Sequence, residues 1–225
     1  MDLRERLATI RARVAEAARR AGRDPGGVEL LAATKTQPAA RVREAIEAGI
    51  TLIGENRLQE ALEKFPQLPP VRRHFIGHLQ TNKAKAVAEH FDAVESLDRW
   101  KLARALDRAA GQLGKRLPVL IEVNVAGEAS KSGAPTGEAL ALARRVAACE
   151  HLVVQGLMGM PPYTEEGEAN RPHFETLAAL YNELAGLPGV EARTLSMGTS
   201  QDFEVAVEAG ATLVRLGTAL FGPRN

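Results

Sequence analysis

A short apolar run, V-E-L-L-A-A-T, ends at Lys35, and Pro38 follows three residues later. The run suits a β-strand, and Pro38 forbids the strand to continue. A lysine at the mouth of a buried strand keeps its ammonium hydrated, pairs it, or loses the proton. In the last state it is a nucleophile towards aldehydes. Taken alone, Lys35 is most simply a strand-end lysine that snorkels to water. Two distant stretches add to it: S-M-G-T-S at residues 196–200 and R-L-G-T at residues 215–218. Each offers a glycine for close backbone approach, hydroxyls, and then a helix start whose unpaired N–H groups can face an anion. Ser and Thr also cap helices and Gly also turns chains, so each loop alone is ambiguous.

A lysine beside a phosphate site has two readings. It is a point charge for a phosphorylated sugar, as in a lyase or isomerase, or it forms a Schiff base with a phosphorylated aldehyde. Pyridoxal 5′-phosphate satisfies the second, with its aldehyde on Lys35 and its phosphate on the two late loops. Arg215 alternates with Val214 and Leu216, so it can point into a barrel mouth. A guanidinium has only donors and stays charged, so beside a pyridine nitrogen it would keep that nitrogen unprotonated. The competing role for Arg215 is a salt bridge to Glu55 or Glu122. His74 and His78 are four apart, but on a strand and its loop rather than one helix face, which does not suggest a metal site. No nucleophile elbow or Cys–His arrangement occurs. A glycosidase-like pair from Glu55 and Glu122 stays open.

The elements that must position these groups alternate. Strands are predicted at 28–34, 51–54, 74–77, 93–96, 118–125, 153–158, 193–196 and 212–216. Helical patterns fall at 41–48, 58–65, 82–90, 98–113, 137–149, 171–184 and 202–208, after an amphipathic helix over 2–21. Eight strands with intervening helices imply right-handed crossovers and a parallel sheet, and favour a closed (β/α)8 barrel with one extra N-terminal helix over an open sheet. Asp98 and Asp202 are read as helix starts, and Gly22, Gly49 and Gly210 as helix ends. In such a barrel, chemistry gathers at strand ends. There the sequence sets Lys35, Asn56, His78, Asn124, Met158, the run Ser196, Gly198 and Ser200, then Arg215, Gly217 and Thr218. Phosphate sites from the last two loops recur in this architecture.

Composition is consistent with one soluble domain. The chain has 225 residues, 45% of them hydrophobic, and a formal net charge of +1, so no polyanion partner is suggested. Its one cysteine, Cys149, lies in an apolar helical stretch and is read as a core residue in a reducing compartment. The first twenty residues are dense in ionic groups, unlike a signal peptide, and no run reaches membrane-spanning length. A cytoplasmic protein without nucleic-acid or membrane partners is expected.

At these residues the sequence resembles a known family. K-T-Q-P, L-I-G-E-N, H-F-I-G-H-L-Q-T-N-K, S-K-S-G, G-L-M-G-M and S-M-G-T-S-Q-D with V-R-L-G-T-A-L-F-G are similar to the pyridoxal phosphate homeostasis protein family, and they span residues 30–222. Thr199 departs from the pattern, where methionine is expected, and His78 stands at a variable position. The family is similar in fold to the N-terminal barrel of alanine racemase. The resemblance implies a cofactor lysine at Lys35, phosphate contacts from Ser200 and the Gly217-Thr218 turn, and Arg215 near the ring. Asn56, His78, Met158, Ser196 and Gly198 complete the expected cofactor site. It also implies a monomer that stores, buffers or delivers the cofactor to pyridoxal phosphate-dependent apoenzymes, without catalysis of its own. The alternative is a weak amino-acid racemase. Alanine racemase carries a second, β-rich domain with a catalytic tyrosine. The chain ends just after the last predicted strand, so that domain is expected to be missing. Tyr163 and Tyr181 are its only tyrosines.

Overall fold

The computed structural model describes residues 2–128 and 131–223, so Ser130 of the S-K-S-G motif lies outside the described residues. The strands are β1 (Glu29–Ala33), β2 (Leu52–Glu55), β3 (Arg72–Phe75), β4 (Ala93–Leu97), β5 (Leu117–Asn124), β6 (Ala134–Pro135), β7 (Leu152–Gly159), β8 (Thr194–Ser196) and β9 (Leu213–Leu216). The helices are α1 (Leu3–Arg20), α2 (Ala39–Glu47), α3 (Leu58–Lys64), α4 (Ala84–His90), α5 (Trp100–Gln112), α6 (Ala139–Ala147), α7 (Arg171–Ala185), α8 (Phe203–Glu208) and α9 (Thr218–Phe221). Neighbouring strands run β4-β3-β2-β1-β9-β8-β7-β5, and β4 also pairs with β5. That last pairing closes a parallel (β/α)8 barrel and excludes an open sheet. The two-residue β6 is an appendage that pairs Ala134 with Val123 at the upper end of β5.

The alternation of apolar runs placed every barrel strand. Two short elements, β6 and α9, are too brief to leave a periodic signature. The third strand begins earlier than expected, at Arg72 rather than His74, because pairing with Leu52 and Ile53 extends it into a basic stretch. Asp98 does not cap α5: the N-cap is Arg99, without a side-chain cap, and the Asp98 carboxylate binds Arg99 at 2.5 Å instead. Asp202 is the N-cap of α8, yet its carboxylate turns back to Thr199 rather than forward into the helix. Gly22, Gly49 and Gly210 follow the ends of α1, α2 and α8 with positive φ, as helix-ending glycines do. Cys149 lies beyond α6 and is half-buried at the core's margin, not within it, and burial pushes its thiol pKa up.

Two apolar regions hold the barrel. The larger fills the space between strands and helices and includes Leu3, Leu7, Ile10 and Val14 of α1. Each such buried side chain contributes about 1.5–3 kcal/mol. A capping box between Asp2 and Glu5 starts α1. Its Arg13 and Arg20 pair with Glu204 and Glu208 of α8 at 2.8 and 2.7 Å. The smaller region is inside the barrel, where Leu31, Leu52 and Leu213 pack with Ala33 and Ile76. Gly54 is required there, since a Cβ would lie 2.4 Å from a Leu31 methyl. Above this plug the interior turns polar, and that change of lining defines the site.

Candidate functional site

Lys35 follows β1 as an exposed residue in a turn closed by the Gln37 N–H to Thr34 O at 3.1 Å. Thr36, the next residue, has φ 63°, a left-handed conformation unusual for a branched side chain. Thr34 is fully buried, and its hydroxyl donates to Glu55 Oε1 at 2.6 Å. Beneath it, the Lys64 ammonium donates to Glu55 Oε1 at 2.6 Å, Thr34 O at 2.8 Å and Glu60 Oε1 at 3.2 Å. Burial raises the Glu55 carboxyl pKa, against the pull of Lys64 and Thr34.

Arg215 does point into the barrel, 6% exposed. It forms no salt bridge to Glu55 or Glu122. Nη1 donates to Ser196 Oγ at 2.6 Å and Nη2 to Gly159 O at 2.9 Å. The Ser196 hydroxyl donates onward to Glu95 Oε2 at 2.6 Å, and His74 Nδ1 meets Glu95 Oε1 at 2.7 Å. A polar chain thus crosses the interior from β9 through β8 and β4 to β3. Burial alone would raise the Glu95 carboxyl, but the His74 bond and the charges of His74 and Arg215 outweigh it and hold the carboxyl below its usual range. Burial pulls the Arg215 guanidinium down, opposed by Glu95, Glu122 and Asp202. Glu122 completes this layer. Burial first, then Asp98, raises its pKa to about 7 against Arg215 and Arg99. Its Oε2 is buried without a hydrogen-bond partner among the described residues. Met158, also buried, sits level with both Glu122 and Ser196 in the strand register.

The late loops meet where β8 and β9 end. Gly198 has φ 88°, and a Cβ there would lie 2.5 Å from that of Ala206, so only glycine fits. Asp202 Oδ1 accepts the Thr199 N–H at 2.6 Å and its hydroxyl at 3.0 Å, while Oδ2 accepts the Asn170 amide at 2.8 Å. The N–H groups of Gly217 and Ala219 converge on one oxygen, Ser200 Oγ, at 3.2 and 3.0 Å. Thr218 between them is exposed. Strand β9 pairs with β1, and a Cβ on Gly217 would lie 3.7 Å from Ala33 O. The converging amides and the Lys35 turn therefore leave adjacent strands at the same level.

The expected residues fall into two sets. Met158, Ser196, Gly198, Ser200, Arg215, Gly217 and Thr218 share the β7–β9 side, with Lys35 on the next strand. Asn56 and His78 instead line a cleft of about 680 Å³ between α3 and the loop after β3. Among the described residues Asn56 Oδ1 is buried without a partner, and His78 is exposed, with Ser132 Oγ 3.1 Å from its ring. Asn124 donates to Glu128 O at 2.8 Å, a loop-stabilising contact. Tyr163 is 76% exposed after β7, its hydroxyl 2.9 Å from the Gln201 amide, whereas Tyr181 packs outside the barrel on α7. The sequence reading missed Lys64 and Glu95. The signal for Lys64 was its place three residues after Ala61, on the buried face of α3 and four after Glu60. Among the described residues, no group of three or more His, Cys, Asp or Glu could hold a metal ion, and no helix is long and apolar enough to cross a membrane.

Comparisons with known proteins agree with this geometry. The family described as alanine racemase, N-terminal domain, matches residues 6–225. A pyridoxal phosphate homeostasis protein of Pseudomonas aeruginosa is 47% identical over 223 residues, covering 98% of this chain and 95% of that one. The structure of PipY from Synechococcus elongatus, with PLP bound, is 35% identical with a TM-score of 0.85, over 98% of this chain and 100% of that one. An alanine racemase of Clostridium difficile shares the fold alone. It is 12% identical with a TM-score of 0.72, over 88% of this chain and 53% of that one.

Proposed function

We propose, because this chain belongs to the pyridoxal phosphate homeostasis proteins within the alanine racemase N-terminal domain family, that it binds pyridoxal 5′-phosphate and serves in its homeostasis. The residues present fit that molecule: an exposed amine, a buried guanidinium, and two N–H groups already aimed at a single oxygen. The last of these, on the strand beside Lys35, is the observation that carries the reading. When bound, the cofactor supplies an aldehyde that condenses with a primary amine and releases water. Lys35 provides that amine. Gly217, Ala219 and Ser200 take the phosphate through N–H and O–H donors, with Thr218 beside them. Arg215, fixed by Ser196 and Gly159, presents only donors to the ring and leaves its nitrogen without a proton. A ring held so is a poor electron sink, which favours holding and handing on the cofactor, with pyridoxal phosphate-dependent apoenzymes as recipients, over turnover.

The test is spectroscopic and chemical. Purified protein mixed with pyridoxal 5′-phosphate is expected to turn yellow, and borohydride followed by peptide mapping to find the pyridoxyl group on Lys35. A protein that stays colourless and binds no cofactor overturns the reading and favours a sugar-phosphate ligand at Lys35.

A further inference from the structure

The turn that carries Lys35 is gripped on both sides by one cluster on α3. The residue before Lys35, Thr34, has its carbonyl bonded by the Lys64 ammonium at 2.8 Å. The residue after it, Thr36, donates its N–H to Glu60 Oε1 at 2.5 Å. Lys64 and Glu60 are one helical turn apart and touch each other at 3.2 Å. Lys64 is 5% exposed, and its three N–H donors meet three acceptors: Thr34 O, Glu55 Oε1 and Glu60 Oε1. A buried ammonium is costly, and an apolar side chain would fill the same space without that cost. What the ammonium alone supplies is a fixed point for the backbone on which Lys35 rides. The grip also holds Thr36 in its left-handed conformation, which a threonine does not adopt unaided.

We propose that Lys64 and Glu60 are positioning residues for Lys35, holding the residue 34–37 turn so that the amine is presented to an aldehyde in the barrel mouth. This rests on the reading of Lys35 as the cofactor lysine. The anion loops on β8 and β9 lie outside the cluster. It therefore acts on capture of the aldehyde and not on recognition of ring or phosphate.

Two ligands separate these effects: pyridoxal 5′-phosphate, and 4′-deoxypyridoxine 5′-phosphate, which lacks the aldehyde. Borohydride labelling of the wild-type protein comes first. Label absent from Lys35 overturns the parent reading and this proposal with it. With Lys35 labelled, Glu60→Ala is expected to weaken binding of the aldehyde ligand about tenfold, as for loss of one charge-assisted hydrogen bond. Its affinity for the deoxy ligand is expected to stay within about twofold. Glu60→Gln, which keeps an acceptor for the Thr36 N–H, is expected to restore most of the loss. Glu60 is partly exposed, so these variants test the idea even where Lys64→Met folds poorly. Equal weakening of both ligands, or no weakening of either, overturns the proposal while leaving Lys35 as the cofactor lysine.

Discussion

Lys64 meets its carboxylate directly, whereas Arg215 reaches Glu95 only through the hydroxyl of Ser196. Both cations are buried, both belong to the open end of the barrel, and both have a glutamate of zero exposure nearby. The direct pair is closed: Lys64 has spent its donors on Thr34, Glu55 and Glu60 and has none left for a ligand. The relayed pair is open. Arg215 has spent two nitrogens on Ser196 and Gly159 O, and its charge is balanced at one remove. A closed pair fixes backbone; a relayed pair holds a cation in place while leaving it something to offer. The contrast separates a cation whose donors are all used within the protein from one that keeps donors to spare.

Breaking the closed pair has the largest expected effect. Lys64→Met leaves the Glu55 carboxylate buried without its counter-charge, and is expected to cost about 3–5 kcal/mol in urea unfolding. Adding Glu55→Gln should recover part of that loss. A double variant no better than the single would show that the pair does not act as a pair.

Glu122 supplies the next test, because it lies beside the relayed pair without joining it. Its pKa is raised in the folded protein to about 7. Stability from this group is therefore full below about pH 4.3, the unfolded value, and is lost as pH rises through the folded value. The expected loss is about 4 kcal/mol across that window. Glu122→Gln should match the wild type near pH 4 and exceed it near pH 8 in unfolding free energy. Equal stabilities at both ends would mean that Glu122 is not held neutral.

Ser196→Ala sharpens the comparison at the smallest scale. It removes the relay and leaves Arg215 and Glu95 each short of one bond, at about 2 kcal/mol. Chemical denaturation that ranks it above Lys64→Met would invert the distinction between closed and relayed pairs.

The fold was legible because most barrel strands are short apolar runs between helical periods, and α1, α2 and α8 are each followed by a positive-φ glycine in the pair A-G. The meeting of the ends of β1, β8 and β9 was legible too, since Lys35, Gly198 and Gly217 announce those turns by local type and spacing. The ionic wiring was not. Glu95 bonds Ser196, 101 residues further along the chain, and nothing local to A-V-E-S-L names that partner. Asp98 looked like a cap because it precedes a helix, but Arg99 beside it offers a full charge where the helix N–H groups offer partial ones. Asn56 and His78 were read from strand-end position and from the motifs L-I-G-E-N and H-F-I-G-H-L-Q-T-N-K. Both line the cleft beside α3, a surrounding that strand order alone does not name.

The pairing of β1 with β9 carries a consequence for how the chain is made. The first strand waits for the last, and α1 waits for α8, whose glutamates its arginines bind. Contacts of such sequence separation form late, since loop closure must precede any gain from them. The Lys35 turn and the amides of Gly217 and Ala219 sit on that same seam. The closure of the barrel and the meeting of the Lys35 turn with these amides therefore depend on the same pairing of chain ends.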